Sequence, residues 1–466
     1  MWERYAFYGF QSLFMLFITH ERFSEEHAYL VFGIFTALLW SMPTAGGYLS
    51  DKYFGHHNAL IFGGLLFILG YCLLAFSSTS TSIYFALSVI ATANGFFKPI
   101  PSAMIANLYR DRPHKSKSAF TVYYMSIQIG GVFAIAASPQ IAIYFGYPTA
   151  FFCCSLGIFA GLVNYLSKFN IMRLAGNELD NKFLTLRKIV LIVLCFGAQL
   201  GFCMLLFEFL AISFYLIVVI SLAVFSILLF RAIREPLLAD RFKQYIGLLL
   251  IVESIPFFVI YNQMFSTFLV FAKKHLDLYI FGLELHPGNI VLFDGLGVLL
   301  ISPAILSAYS FLKRSGITLN IIDKFAIGQI FTGVSVLFLS VICSFYELKA
   351  QISLWYMGVV FIFFTVGEVL ISALGLAMIS LYFPNRIVGF AMGSWFLSQS
   401  VAGVLTGKFA ELFAVIPENI ALSKSMSLYV DYFFKLAIVS IIIGIIYFGI
   451  AIVLRKLSKS ITISLP

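Results

Sequence analysis

The sequence predicts an all-α, polytopic membrane protein, and three observations predict it. Hydrophobic side chains make up 61% of the 466 residues and charged ones only 11%, against roughly 25% charged in a typical soluble domain. Apolar runs near or above the roughly 18–20 residues that cross a hydrocarbon core recur along the chain, separated by short charged segments. The basic residues between them fall on alternate loops, as in a chain that weaves through a bilayer. With a mean hydropathy of +0.98, a soluble globular enzyme is excluded. So are disorder and an outer-membrane barrel, whose strands would alternate apolar and polar residues.

Fourteen helices are expected, at about 5–19, 28–49, 59–76, 82–107, 119–144, 148–168, 188–207, 209–230, 245–272, 289–311, 322–345, 353–382, 388–415 and 430–456. Each is an apolar run closed by a charged or turn-forming segment, and together they leave no room for a soluble catalytic domain. The longest basic stretch outside a span, Phe169 to Lys188, follows the sixth helix. Six helices, a pair and six more suggest two similar halves. The expected division is an N-terminal six-helix bundle (1–168), a linker with an extra transmembrane pair (169–243), and a C-terminal six-helix bundle with a short tail (244–466). Major facilitator transporters are built this way, with the substrate site between halves near the bilayer midplane.

The net charge of +9 does not indicate nucleic acid, because the cations are distributed by loop rather than clustered with stacking aromatics. Of the 30 Lys and Arg residues, 21 lie on alternate loops or the tail: Lys52, Arg110 to Lys117, Lys168 to Lys188, Arg231 to Lys243, Lys313 to Lys324, Arg386, and Arg455 to Lys459. The positive-inside rule makes that side cytoplasmic, and an even helix count puts both termini there. The six cysteines lie in or beside apolar runs without ligand-like spacing to histidine, which reads as packing rather than metal or disulfide chemistry. No cleavable signal peptide is expected, and the first helix is retained as a span.

Between the second and third helices, Gly47-Tyr48-Leu49-Ser50-Asp51-Lys52-Tyr53-Phe54-Gly55 is similar to the major facilitator loop signature. Gly47 permits close packing, Asp51 can cap a helix or pair with a cation, and Gly55 makes the turn. The three form a candidate conformational gating loop. His56-His57 stand where Arg or Lys is usual.

An ionisable side chain in mid-helix costs about 2.5–3.5 kcal/mol on insertion scales, so such residues are functional candidates. They are Glu3 and Arg4 in the first helix, Lys98 in the fourth, Glu253 in the seventh, Asp294 in the eighth and Glu368 in the tenth. Lys98 is followed by Pro99 and Pro101, which remove backbone donors and loosen the helix where a ligand could approach. Glu368 shares a face with Ser372 and Gly375. By position alone, Glu3 and Arg4 also fit an interfacial end-of-helix pair, Glu253 fits local pairing or snorkelling, and Asp294-Gly295 fits either a bend or a site. Cations and anions in one bundle suit a substrate carrying both charges. A short peptide zwitterion, its ends roughly 7–10 Å apart at about 3.3–3.6 Å per residue, is such a substrate. Tyr5, Phe7, Tyr8, Trp40, Tyr124 and Trp395 are rings available to line its cavity.

No phosphate-binding loop exists; Gly403 to Lys408 has the wrong spacing and lies in an apolar helix. No nucleophile or metal constellation sits on a water-facing segment. The chain is therefore expected not to be an enzyme, to need no cofactor and no metal, and to draw energy from an ion gradient worth about 2.3 kcal/mol per charge per 100 mV.

At these residues the sequence resembles the proton-dependent oligopeptide transporter family of the major facilitator superfamily, of the bacterial di- and tripeptide permease type. Trp2-Glu3-Arg4-Tyr5-Ala6-Phe7-Tyr8-Gly9 matches the end of its first-helix motif, Asn94 to Tyr109 its fourth-helix lysine signature and Ala119 to Gly130 its fifth-helix run. Gly367 to Met378 and Gly393 to Leu397 match the tenth and eleventh helices. The extra helix pair is also a trait of bacterial members.

The resemblance implies that Arg4 and Lys98 attract a peptide carboxylate, that Glu368 holds its amino terminus, and that Glu3 belongs with Arg4 and Lys98 to the proton-coupling network. It further implies that Tyr8 and Trp395 line the side-chain cavity and that Tyr124 and Gln128 contact the peptide backbone. Trp40, Asp294 and Ser372 complete the candidate binding set. The expected function is proton symport of di- and tripeptides into the cell by alternating access. The expected setting is the bacterial inner membrane, multi-pass, in contact with substrate, protons and lipid, as a monomer.

The chain departs from the family pattern in several places. The first glutamate of the first-helix motif would fall immediately before Met1. Gln128 stands where Asn is usual, Gly131 for Ser, Trp40 and Phe7 for tyrosines, and Asp294-Gly295 for Asn-Pro. An added carboxylate at Asp294 would favour cationic peptides or amines. The rival expectations are a diverged or uncoupled carrier of another amine-bearing solute, and a non-transporting membrane sensor.

Overall fold

The structure is a computed structural model that describes the chain except residues 22, 110–112, 182–184, 281, 350, 385, 418–419 and 461–466. Arg110, Arg112 and Lys182 of the basic loops lie outside the described residues. The helices are α1 (Trp2–Glu21), α2 (Glu25–Leu49), α3 (His56–Ala75), α4 (Ser80–Phe97), α5 (Ile100–Leu108), α6 (Pro113–Ser167), α7 (Phe169–Met172), α8 (Leu186–Glu208), α9 (Leu210–Ile233), α10 (Leu238–Gln263), α11 (Thr267–His275), α12 (Leu292–Arg314), α13 (Ile321–Phe345), α14 (Trp355–Tyr382), α15 (Val388–Phe413) and α16 (Leu422–Ser460). Among the described residues, twelve helical stretches are long and apolar enough to span a membrane. One of these stretches, in α6, holds two helices that meet at Gly146 (φ +82°); α1 is not among the twelve.

Three interruptions shape these spans. The fourth expected helix stops at Lys98 and Pro99 and resumes as α5, because Pro99 has no N–H to continue the ladder. The fifth and sixth form one helical run divided only at Gly146. The seventh parts into α10 and α11 at Ser266, whose backbone leaves the helical region (φ −128°, ψ −92°). Its hydroxyl donates to the Asn262 carbonyl at 3.1 Å, and the Thr267 hydroxyl donates to the Gln263 side chain.

Two compact units emerge, Met1–Ser24 with Leu30–Phe214, and Glu25–Tyr29 with Tyr215–Pro466. The extra helix pair is shared between them. In the first unit Ile192 of α8 belongs to a core with Phe54, Leu60, Phe96, Met104 and Leu162. In the second, Leu228 and Ala232 of α9 join a core built on Ile251, Phe257, Tyr382 and Trp395. Helix packing in lipid favours small residues at contacts, and Gly46 is one: a Cβ there would lie 2.2 Å from the Gly95 carbonyl oxygen, so α2 and α4 touch backbone to backbone. A Cβ on Gly47, beside it, would meet the Pro99 ring at an ordinary 3.5 Å.

The loop after α2 is fixed by residues far along the chain. Gly55 turns at φ +88°, which a side chain would resist. Asp51 pairs with His56 at 2.8 Å. The open N-terminus of α3 is satisfied by Asp180, whose carboxylate accepts the N–H groups of His56 (3.1 Å), His57 (2.9 Å) and Asn177 (2.8 Å). His57 also bonds the Tyr165 hydroxyl.

Candidate functional site

In the first unit, α1 brings Glu3 and Arg4 to one point and α4 ends there with Lys98. The Arg4 guanidinium donates from Nε to Glu3 Oε2 at 2.6 Å and from its terminal nitrogen to Oε1 at 2.5 Å, a forked pair. Both side chains are 13% exposed. Arg4 lies 4.7 Å over the Phe7 ring; Lys98 Nζ lies 5.8 Å from the same ring and 3.5 Å from the Trp40 ring centroid. These quadrupoles partly replace the water that the two cations lose on burial. Tyr8 and Tyr123 stand within electrostatic range of Arg4, and Arg4 and Glu3 within range of Lys98. A cavity of about 210 Å³ opens against Glu3, Arg4, Phe97, Tyr123 and Tyr165.

Helix α6 passes α1 closely at Gly130 and Gly131: a Cβ at Gly131 would sit 3.1 Å from the Tyr8 ring, so a glycine there leaves that ring room. Tyr124 and Gln128 lie on α6, the former 57% exposed and the latter half-buried.

In the second unit, α12 and α14 bring two carboxyls together. The Asp294 and Glu368 carboxyls face each other at close range, and the Thr365 hydroxyl beside them is buried without a hydrogen-bond partner. Asp294 Oδ1 and Glu368 Oε2 are buried with no hydrogen-bond partner. Ser372 is half-buried one turn beyond Glu368. Trp395 is buried on α15, its ring 5.7 Å from Phe258 and 6.3 Å from Phe325, packed on Gly375. Thr365 escaped the sequence reading, although its place three residues before Glu368 puts it on the same helical face.

Glu253 neither snorkels nor pairs locally. It is 0% exposed, both oxygens lack hydrogen-bond partners, and Tyr447 of α16 stands nearby. Among the described residues, no group of three or more His, Cys, Asp or Glu could hold a metal.

Apolar spans enclosing ion clusters of both signs define a polytopic helical membrane transporter. The profile of the POT family matches residues 57–426. The chain is 31% identical over 472 residues to "Dipeptide and tripeptide permease B" of Aliivibrio fischeri (strain MJ11), covering 100% of this chain and 94% of that one. To the protein of the same name in Salmonella typhimurium it is 30% identical, covering 96% and 91%. Among solved structures it matches a bacterial homologue of the human peptide transporters PepT1 and PepT2 (TM-score 0.84, 25% identity, 98% of this chain and 96% of that one). It also matches tetrameric PepTSo2 (TM-score 0.82, 26% identity, 98% and 96%). The chain belongs to the POT family, with the major facilitator fold of its transporters, and is not an enzyme.

Proposed function

We propose that this chain is a proton-coupled symporter that imports di- and tripeptides by alternating access of two six-helix bundles, 1–168 and 244–466, with 169–243 as linker and extra pair. The carrying observation is the segregation of charge: Arg4 and Lys98 together in the first unit, Asp294 and Glu368 together in the second. A peptide offers a carboxylate to the one set and an ammonium to the other, and the names of the full-length relatives support the substrate class.

In this reading Arg4 and Lys98 bind the carboxylate and Glu368 the amino terminus. Tyr8, Trp40 and Trp395 bound the space for side chains, while Tyr124, Gln128 and Ser372 meet the peptide backbone. Protonation of Glu3 breaks its fork with Arg4 and frees that guanidinium for substrate; proton release inward re-forms the pair. Gly47, Asp51 and Gly55 form the loop on which the cytoplasmic side opens and closes. The proton gradient is the energy source and no cofactor is required. The protein works as a monomer in the bacterial inner membrane with both termini cytoplasmic, surrounded by lipid.

Competition in proteoliposomes tests the substrate assignment. Free dipeptides should displace a labelled dipeptide and N-acetylated ones should not; equal competition by both removes the role of Glu368. Asp294 favours a second reading, a carrier of other amine-bearing solutes, and stronger competition by polyamines or amino acids than by dipeptides would establish it.

A further inference from the structure

The carboxyl pair of the second unit carries an inference that rests on the ammonium-binding role just given to Glu368. Asp294 comes from the start of α12 and Glu368 from the middle of α14. The helices are held close where Gly297 passes Thr365, at a distance where a Cβ would stand 2.6 Å from the threonine hydroxyl. Two carboxylates cannot hydrogen-bond without a proton between them, and like charges at such range do not both ionise in a dry site.

Among the described residues, no hydrogen bond or ion pair from a cation reaches either carboxyl. The charged groups on the packed helices are engaged elsewhere: Asp323 of α13 with Arg455 at 3.5 Å, Lys408 of α15 with Glu411 at 2.6 Å, and Lys324 over the Tyr309 ring at 4.6 Å. Glu253 of α10 is buried with both oxygens unpartnered. Meanwhile Asp294 Oδ1 and Glu368 Oε2 are acceptors with nothing to accept.

We propose that Asp294 and Glu368 form a proton-sharing ammonium site, in which an arriving substrate amine displaces the shared proton. The exchange balances. A pair holding one proton carries one negative charge; an ammonium binds with its N–H groups on the unpartnered acceptors, the proton leaves to water, and two carboxylates face one cation. Amine recognition thereby releases a proton at a place separate from the Glu3–Arg4 fork.

Calorimetric titration of the purified full chain with dialanine, in buffers of different ionisation enthalpy, reads protons released per peptide bound. Native protein should release a substantial fraction of one proton. Asp294→Asn, which removes the sharing partner and keeps an amide of the same shape, should release less than half as much at saturation, whatever its affinity. Equal release by both proteins, or binding by native protein without release, overturns the exchange and leaves peptide recognition standing. Absence of dialanine binding to native protein overturns the substrate reading itself. An infrared measurement on unaltered protein guards against misfolding of the variant: dialanine should remove a protonated-carboxyl band that N-acetyl-dialanine leaves, and a band unchanged by both contradicts the proposal.

Discussion

Lys98 Nζ stands 3.5 Å from the ring centroid of Trp40, so the cation given to the substrate carboxylate is held by an aromatic face rather than by a carboxylate. Helix α4 ends at that residue, which leaves the side chain beside a broken backbone rather than inside a continuous rod. Removing the ring should loosen Lys98 by the value of a desolvated cation–π contact, about 1–2 kcal/mol. Trp40→Ala should therefore raise the half-saturating dipeptide concentration for uptake roughly five- to thirtyfold, and Trp40→Tyr, which keeps a ring, by much less. Concentration dependence of initial uptake checks both.

The Glu3–Arg4 fork is the proposed proton-sensitive element of the first unit. Glu3→Gln abolishes the ionic pair and leaves Arg4 unable to report protonation. Gradient-driven accumulation should fall at least tenfold in this variant, and peptide exchange across a membrane without a gradient should fall far less. Equal losses in the two assays would separate Glu3 from coupling.

Asp180 holds the N-terminus of α3 with two backbone hydrogen bonds, from His56 and His57, and accepts a third from Asn177 of its own loop. Loss of a capping side chain costs about 0.5–2 kcal/mol. Asp180→Ala should lower thermal stability in detergent accordingly and speed hydrogen exchange at the amides of His56, His57 and Asn177. Gly55→Ala should act on the same contact, because its Cβ would lie 2.4 Å from Asp180 Oδ1 at a backbone angle that resists a side chain; the cost of the strain alone is about 1–3 kcal/mol.

His286 precedes the turn leading into α12 and is 7% exposed. Its Nδ1 accepts the Gly288 N–H at 3.1 Å, which requires that nitrogen unprotonated. Burial, reinforced by Lys273, pushes the imidazole down from 6.5 to about 4. The unfolded chain therefore binds the proton first. The stability contributed by neutral His286 is fully present above about pH 6.5 and is lost as pH falls toward 4, by at most about 3 kcal/mol. Melting temperature across pH 4–7 should show this slope, and His286→Asn should flatten it.

The architecture was legible because lipid imposes a coarse rule: each span must be a long apolar helix. The intramembrane ions were legible for the same reason, their cost making them stand out. Less legible was what depends on distance in sequence. Asp180 looks like any linker acid, and nothing local announces that it caps a helix 124 residues earlier. Glu253, one of several charges along the start of its helix, invites a snorkelling reading, yet α10 turns it inward. Asp294 beside Gly295 suggested a bend as readily as a site, and its nearness to Glu368 depends on how α12 and α14 pack. The break at Ser266 carries no proline and was invisible in the hydrophobic pattern.

Uptake of labelled dipeptide by proteoliposomes holding the full chain, with and without an inward proton gradient, tests the central claim most directly. The native protein should accumulate peptide only with the gradient, and Lys98→Ala should abolish that response. Accumulation that ignores the gradient, or that survives intact in Lys98→Ala, would contradict the account.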